Sequence, residues 1–145
     1  MNEPLERYRK AMTGEIQASP VEQLMGIKPV EIAPGQVIFE MEATQSHSNP
    51  QGTLNGGITS TLADIAMGVA FGTTLQLEES FTTIELKINF LKPIWNGKIT
   101  ADAKVMKKGN TVGLIDCSVY DENQVLVAYA TSTCMILRGD KAKGR

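Results

Sequence analysis

The clearest hydrophobic pattern in the chain is helical and lies between residues 56 and 73. Its apolar residues recur at spacings of four, three and four, which is the period of one face of a helix. Gly56 and Gly57 occupy the predicted first turn, and Asp64 is the only carboxylate within the pattern. The sequence therefore predicts one apolar helix with free N–H donors at its start and an acid near its middle. The recurring apolar residues are Ile58, Leu62, Ile65 and Val69.

On both sides of this helix, apolar and polar residues alternate with a period of two, which predicts strands. Long strands around one apolar helix predict an α+β fold, in which a curled antiparallel sheet wraps around the helix. The predicted strands cover residues 29–33, 36–43, 83–90, 99–106, 112–120 and 124–137. In the third of these strands, Ile84, Leu86, Ile88 and Phe90 alternate with Thr83, Glu85, Lys87 and Asn89.

No internal repeat or linker divides the chain, so one domain is predicted over residues 1–145. Residues 1–18 are predicted to form a helical or flexible extension, and residues 138–145 a frayed polar tail. Between them, Ser19 and Glu22 form a capping-box pattern around Pro20, which predicts a short helix ending at Gly26.

The composition is that of an ordinary globular protein and argues against several classes of function. With 42% hydrophobic residues and a formal net charge of -2, the chain lacks the basic character of a general nucleic-acid binder. Its single histidine and two cysteines have no metal-binding spacing, and Cys117 and Cys134 fall in predicted strands as core residues. The N-terminus has no signal-peptide core, and no apolar run is long enough to span a membrane. We therefore expect a cytoplasmic protein without nucleic-acid or membrane partners.

The spacing of Gly56 and Asp64 predicts an oligomer if the two residues share a site. Eight residues of helix separate them by roughly 12 Å. An amide donor and a carboxylate that act on one carbonyl must both lie within about 3 Å of it. Two antiparallel copies of the helix would bring Gly56 of one chain near Asp64 of the other. This geometry predicts a homodimer with two shared sites.

These residues also carry a family resemblance. The order Asn49, Asn55-Gly56-Gly57 and Asp64, followed by the run TIELKINFLKP over residues 83–93, resembles the hotdog-fold acyl-CoA thioesterases. Within that family, the pattern is similar to the phenylacetic-acid-degradation, or PaaI-like, thioesterases. The resemblance covers roughly residues 25–137, and its strength lies in the combined order of these residues, since each piece alone is weak.

The resemblance implies a hotdog fold and a hydrolase that cleaves acyl-CoA thioesters. It implies that Asp64 is the catalytic acid, which activates water or attacks directly, and that the Gly56 N–H polarises the thioester carbonyl. It implies that Asn49 helps to orient the water or carbonyl from the opposite subunit, and that Thr83 lies near the nucleophilic water. A homotetramer is compatible with the resemblance. No metal or redox cofactor is implied, because coenzyme A is part of the substrate.

Six further residues are candidates for substrate binding, each with a simpler structural explanation. Asn55 stands where the family usually has histidine; it retains a neutral hydrogen-bond donor but cannot shuttle protons near neutral pH. Met67 would line an acyl pocket or fill the core, and Lys107 and Lys108 would meet the phosphates of coenzyme A or lie on a solvated surface. The full set is Asn55, Gly57, His47, Met67, Lys107 and Lys108.

Two other functions remain open from the sequence. A hotdog enoyl-CoA hydratase or dehydratase would use His47 with Asp64 as base and acid, although His47 is better explained as an exposed loop residue. A non-catalytic acyl-CoA-binding protein would use the same pocket without turnover. Asn49 precedes Pro50 and is also a typical turn former. Aromatic, medium-chain and hydroxylated acyl groups are all compatible with the sequence.

Overall fold

The structure is a computed structural model that describes residues 3–144. Residues 1, 2 and 145, which belong to the predicted extension and tail, lie outside the described residues. The helices are α1 (Glu3–Met12), α2 (Pro20–Met25) and α3 (Gly56–Gly72). The strands are β1 (Lys28–Ala33), β2 (Gln36–Ala43), β3 (Ser80–Phe90), β4 (Gly97–Lys108), β5 (Val112–Tyr120) and β6 (Leu126–Leu137).

The six strands form one antiparallel sheet in the order β1-β2-β4-β5-β6-β3. Helix α3 packs on one face of this sheet and contacts β2, β4, β5, β6 and β3. The sheet therefore wraps around a single long helix, which confirms the predicted hotdog architecture. None of the helices in residues 3–144 combines the length and the apolar character that a membrane crossing requires.

Helix α3 is apolar on more than the face that meets the sheet. Leu62, Met67 and Phe71 are fully buried against the strands. Ile65 and Val69, on the other side, are only partly buried and border an open groove. A surface helix normally carries polar residues opposite its core face. The second apolar face of α3 is therefore only partly covered by the rest of the chain.

A β-bulge in β3 decides which residues of this strand face α3. Thr83 pairs with Cys134 of β6, but the next pair joins Glu85 to Thr133, so Ile84 is the extra residue. Such a bulge reverses the alternation of faces along a strand. Ile84, which alternates with Thr83 in the sequence pattern, is accordingly 55% exposed. Thr83 lies instead on the inner face.

The N-terminal part of the chain is anchored to α3. Helix α1 buries Leu5, and its Tyr8 packs so closely on Gly72 that any side chain at position 72 would overlap the Tyr8 ring. Helix α2 begins with the predicted capping box between Ser19 and Glu22 and ends at Gly26 in the left-handed conformation.

Gly113 allows β5 to approach α3. A Cβ atom at this position would overlap the ring of Phe71, which is fully buried and packs edge-to-face on Phe81 at 5.7 Å between ring centroids. We expect Gly113→Ala to lower the free energy of unfolding by about 1–3 kcal/mol through overpacking, as measured by urea denaturation. The same substitution in a Phe71→Leu background should cost less. Equal costs in both backgrounds would contradict this explanation.

Candidate active site

The first turn of α3 presents one unpaired backbone donor. The Oδ1 atom of Asn55 accepts the N–H of Gly57 at 2.8 Å and so caps the helix. The N–H groups of Ile58 and Thr59 donate to the carbonyl of Asn55 at 3.0 and 3.3 Å. Among the residues that the structure describes, the N–H of Gly56 has no acceptor. The cap therefore satisfies its neighbours and leaves the Gly56 donor available.

A side chain at Gly56 would meet a neighbouring aromatic ring in β3. A Cβ atom at this position would lie 2.8 Å from Cζ of Phe90. The aromatic ring therefore borders the backbone at the start of α3 and restricts water on that side. Because Phe90 is 57% exposed, its ring is able to shift when position 56 is substituted.

Asp64 lies eight residues further along the same helix and faces a groove between α1, α3 and β3. No hydrogen bond or ion pair to its carboxylate is present within residues 3–144. Burial among the groove walls raises the pKa of Asp64 above its ordinary value. The Asp64 side chain is exposed in the chain, and the groove walls beside it only partly remove it from solvent. The groove walls around it include Ile65, Gly68, Val69, Phe81 and Thr83.

Thr83 borders the same groove because the bulge in β3 places it on the inner face. Its Oγ1 atom lies 3.7 Å from Sγ of Cys134 on the neighbouring strand. Burial is the main cause that raises the pKa of the Cys134 thiol, and the charge of Asp64 raises it further. The structure therefore brings together the predicted site residues Asp64 and Thr83, and it adds Cys134, which the sequence had indicated only as a core residue.

The side chain of Asn49 organises the loop before α3. Its Oδ1 atom accepts the N–H groups of Gln51 and Thr53 at 3.0 and 3.1 Å. Its Nδ2 atom donates to Oγ1 of Thr53 at 2.8 Å. These bonds form the turn that an Asn-Pro sequence favours. They leave one of the two N–H groups on Nδ2 of Asn49 for another partner.

His47 and Asn55 are also engaged locally. The Nδ1 atom of His47 accepts the N–H of Thr44 at 3.1 Å, and the His47 carbonyl accepts the N–H of Asn55 at 2.9 Å. Because Oδ1 of Asn55 is bound to Gly57, only the amide nitrogen of Asn55 remains to meet a ligand. The N–H of Gly57 is occupied by the same bond.

The remaining candidates lie away from the groove beside Asp64. Met67 is fully buried in the core and does not line the groove, so its predicted place in an acyl pocket is corrected; the helical period turns it toward the sheet. The Nζ atom of Lys108 donates to the carbonyl of Thr74 at 2.6 Å and pairs with Glu79 at 3.6 Å. These contacts place Lys108 near the end of α3 opposite Gly56. The side chain of neighbouring Lys107 is exposed.

The described part of the chain contains no evident metal site. No group of three or more histidine, cysteine, aspartate or glutamate side chains in residues 3–144 is arranged to hold an ion. In this part of the groove, the residues that carry reactive groups are Asp64, with its carboxylate, and Thr83, with its hydroxyl.

Sequence comparison finds one family and a set of similar enzymes. The profile of the thioesterase superfamily matches residues 51–128, which include Gly56, Asp64 and Thr83. Human acyl-coenzyme A thioesterase 13 is 35% identical over 114 residues, covering 77% of this chain and 79% of the human protein.

Solved structures show the same fold. A thioesterase family protein from Silicibacter pomeroyi has a TM-score of 0.82 and 28% identity, with 91% of this chain and 99% of that chain covered. The Escherichia coli PaaI protein from the phenylacetic acid degradation operon has a TM-score of 0.83 and 22% identity, with 95% and 96% covered. At that identity the second likeness establishes the fold alone.

The raised pKa of Asp64 predicts a pH-dependent gain of stability in Asp64→Asn. Folding penalises the charged carboxylate, so the variant should be more stable than the wild type above the folded-state pKa. The gain should disappear as the pH falls below the unfolded-state pKa of about 3.9, where both states are protonated. Since solvent still reaches the groove, we expect less than about 1 kcal/mol.

Urea denaturation of both proteins between about pH 3 and pH 8 measures this difference. Glu78→Gln removes an exposed carboxylate elsewhere along the groove and controls for the change in net charge. A gain that increases toward low pH would show that the assigned cause of the pKa shift is wrong.

Proposed function

The chain belongs to the thioesterase superfamily, and we propose that it hydrolyses acyl-CoA thioesters to a free acid and coenzyme A. One observation carries the proposed mechanism: α3 presents an unpaired N–H at its start and an unpaired carboxylate that faces an open groove. The acyl-CoA thioesterase activity named for the human relative supports the same substrate class.

The Gly56 N–H is the proposed oxyanion donor. When water attacks a thioester, negative charge develops on the carbonyl oxygen. A backbone N–H fixed at the start of a helix donates to that oxygen without reorganising, and the helix dipole adds partial positive charge. The cap formed by Asn55 supports this role because it pairs Gly57 and leaves Gly56 free.

Asp64 is the proposed general base. It accepts a proton from water, the water oxygen attacks the carbonyl carbon, and collapse of the tetrahedral intermediate breaks the carbon–sulfur bond. The proton on Asp64 then neutralises the departing thiolate of coenzyme A. A base works best when its pKa lies near the operating pH, and burial shifts the pKa of Asp64 in that direction. Thr83, on the same groove, orients the water.

We propose that each site combines Gly56 of one protomer with Asp64 of the partner subunit. Both residues lie on α3, where eight residues of helix separate them by roughly 12 Å. A homodimer is supported by the second apolar face of α3 and by β3, an edge strand of 11 residues that is unpaired on one side. A homotetramer would join two such dimers.

The proposal also assigns residues that bind the two ends of the acyl-CoA substrate. The free amide nitrogen of Asn55 and the remaining N–H of Asn49 would meet the thioester end. Lys107 would meet the phosphates of coenzyme A, whereas Lys108 is held by Glu79. The proposal involves no metal and no bound redox cofactor, because coenzyme A enters as part of the substrate. It places the reaction in the cytoplasm.

A hydratase or dehydratase is less well supported. That chemistry would require the His47 imidazole to move protons, but its Nδ1 atom accepts the Thr44 N–H and holds the loop. A non-catalytic acyl-CoA-binding protein would need neither an unpaired amide nor a base. Release of free thiol from acyl-CoA distinguishes hydrolysis from both, since neither alternative liberates coenzyme A.

Asp64→Asn should lower kcat by about 10² or more, because it removes the base while keeping the side-chain volume. Free thiol released from aromatic, medium-chain and hydroxylated acyl-CoAs measures the rate. Affinity for the substrate should change little, as expected for lost transition-state stabilisation.

His47→Ala is the control and should keep a substantial fraction of the activity. Near-normal turnover by folded Asp64→Asn would refute the role of Asp64. Loss of several orders of magnitude in His47→Ala, with Asp64→Asn active, would instead favour the histidine-dependent chemistry.

A further inference from the structure

Cys134 and Thr83 form a polar pair in the layer between α3 and the sheet. The two residues are directly opposite in the β3–β6 register, and Oγ1 of Thr83 lies 3.7 Å from Sγ of Cys134. Cys134 is fully buried. On the same face of β6, the pair is flanked by Ser132, whose buried side chain acts on the Cys134 thiol, and by apolar Ile136.

The hydroxyl of Thr83 needs a partner to point into this layer. A threonine side chain carries a methyl group and a hydroxyl of similar size, and its rotamer decides which of them faces inward. In an apolar layer the methyl is favoured unless the hydroxyl gains a hydrogen bond. The thiol of Cys134 supplies that bond, whichever of the two atoms donates.

The position of the pair connects it to the proposed base. Thr83 lines the groove that contains Asp64, and the charge of Asp64 acts on Cys134. Burial raises the pKa of the Cys134 thiol, so the thiol stays neutral and retains its proton. Two residues earlier on β6, the hydroxyl of Ser132 is also buried and acts on the Cys134 thiol, so this part of the layer holds three polar side chains.

We propose that Cys134 is a positioning residue that holds the hydroxyl of Thr83 toward the groove, where it orients the attacking water. This inference rests on the proposed function. The bulge brings Thr83 to the inner face, and the thiol selects the hydroxyl rather than the methyl. Water then meets two fixed groups, the carboxylate of Asp64 and the hydroxyl of Thr83.

Cys134→Ala removes the thiol, and Cys117→Ala is the matched control. Cys117 is likewise a fully buried strand cysteine, on neighbouring β5, but it has no contact with Thr83. Both substitutions delete one buried sulfur, so their effects on thermal stability should be similar. Only Cys134→Ala should lower kcat, by about 3- to 10-fold, which is the value of one modest hydrogen bond. KM should change by less than about twofold.

Two further variants separate positioning from packing. Cys134→Ser keeps a donor, and cross-strand Thr–Ser pairs form hydrogen bonds, so it should keep most of the activity that Cys134→Ala loses. Thr83→Val keeps the shape and removes the hydroxyl. In a Thr83→Val background, Cys134→Ala should cause no further loss of kcat. The proposal would be overturned if Cys134→Ala and Cys117→Ala had equal kcat values. It would also be overturned if the losses of kcat in Cys134→Ala and Thr83→Val were additive.

The rotamer of Thr83 gives a readout that does not depend on activity. Three-bond couplings of its methyl carbon, measured by NMR, report χ1 in each variant. One fixed rotamer is expected in the wild type and in Cys117→Ala, and rotamer averaging in Cys134→Ala. An unchanged rotamer in Cys134→Ala would overturn the positioning role. If the wild type released no thiol from any acyl-CoA, the proposed function would fail, and the couplings would still decide the role of Cys134.

Discussion

The packing of α3 against the inner face of the sheet is the constraint on which the rest of the structure depends. Five of the six strands contact this helix, and its residues Leu62, Met67 and Phe71 are fully buried. A helix held along its whole length acts as a rigid spacer of about 1.5 Å per residue. The separation of Gly56 and Asp64 is therefore fixed by the core, and no local adjustment brings these two groups to one carbonyl.

The electrostatics of the groove follow from the same packing. Asn55 caps α3 through Gly57, which leaves the Gly56 donor free, while the groove walls limit the solvation of Asp64. Thr83 lines the same groove as Asp64 only because a bulge in β3 turns its side chain to the inner face. An N–H donor, a carboxylate and a hydroxyl are thus placed mainly by features of the backbone.

Periodicity predicted the helix and the six strands, because both depend on local alternation of polar and apolar residues, whereas the set of candidate site residues followed from the family resemblance. The inward position of Thr83 was not predictable in this way, since the bulge arises from the register between β3 and β6, which are distant in sequence. Met67 fits an apolar helical pattern whether it faces the sheet or the groove, and only packing decides between them. Asn55 caps α3, and asparagine is a common residue at this position of a helix. The family usually has histidine there, and the resemblance therefore predicted a substrate contact for Asn55 instead.

Exchange between two inactive variants tests the shared site most directly. Gly56→Pro removes the amide donor and retains Asp64, whereas Asp64→Asn does the reverse; Gly56→Ala keeps the N–H and controls for contact with Phe90. After subunit exchange at equal amounts, half of the dimers are mixed and each has one intact site, so about one quarter of the wild-type activity should return. If verified mixed dimers remain inactive while Gly56→Ala is active, Gly56 and Asp64 do not act across subunits.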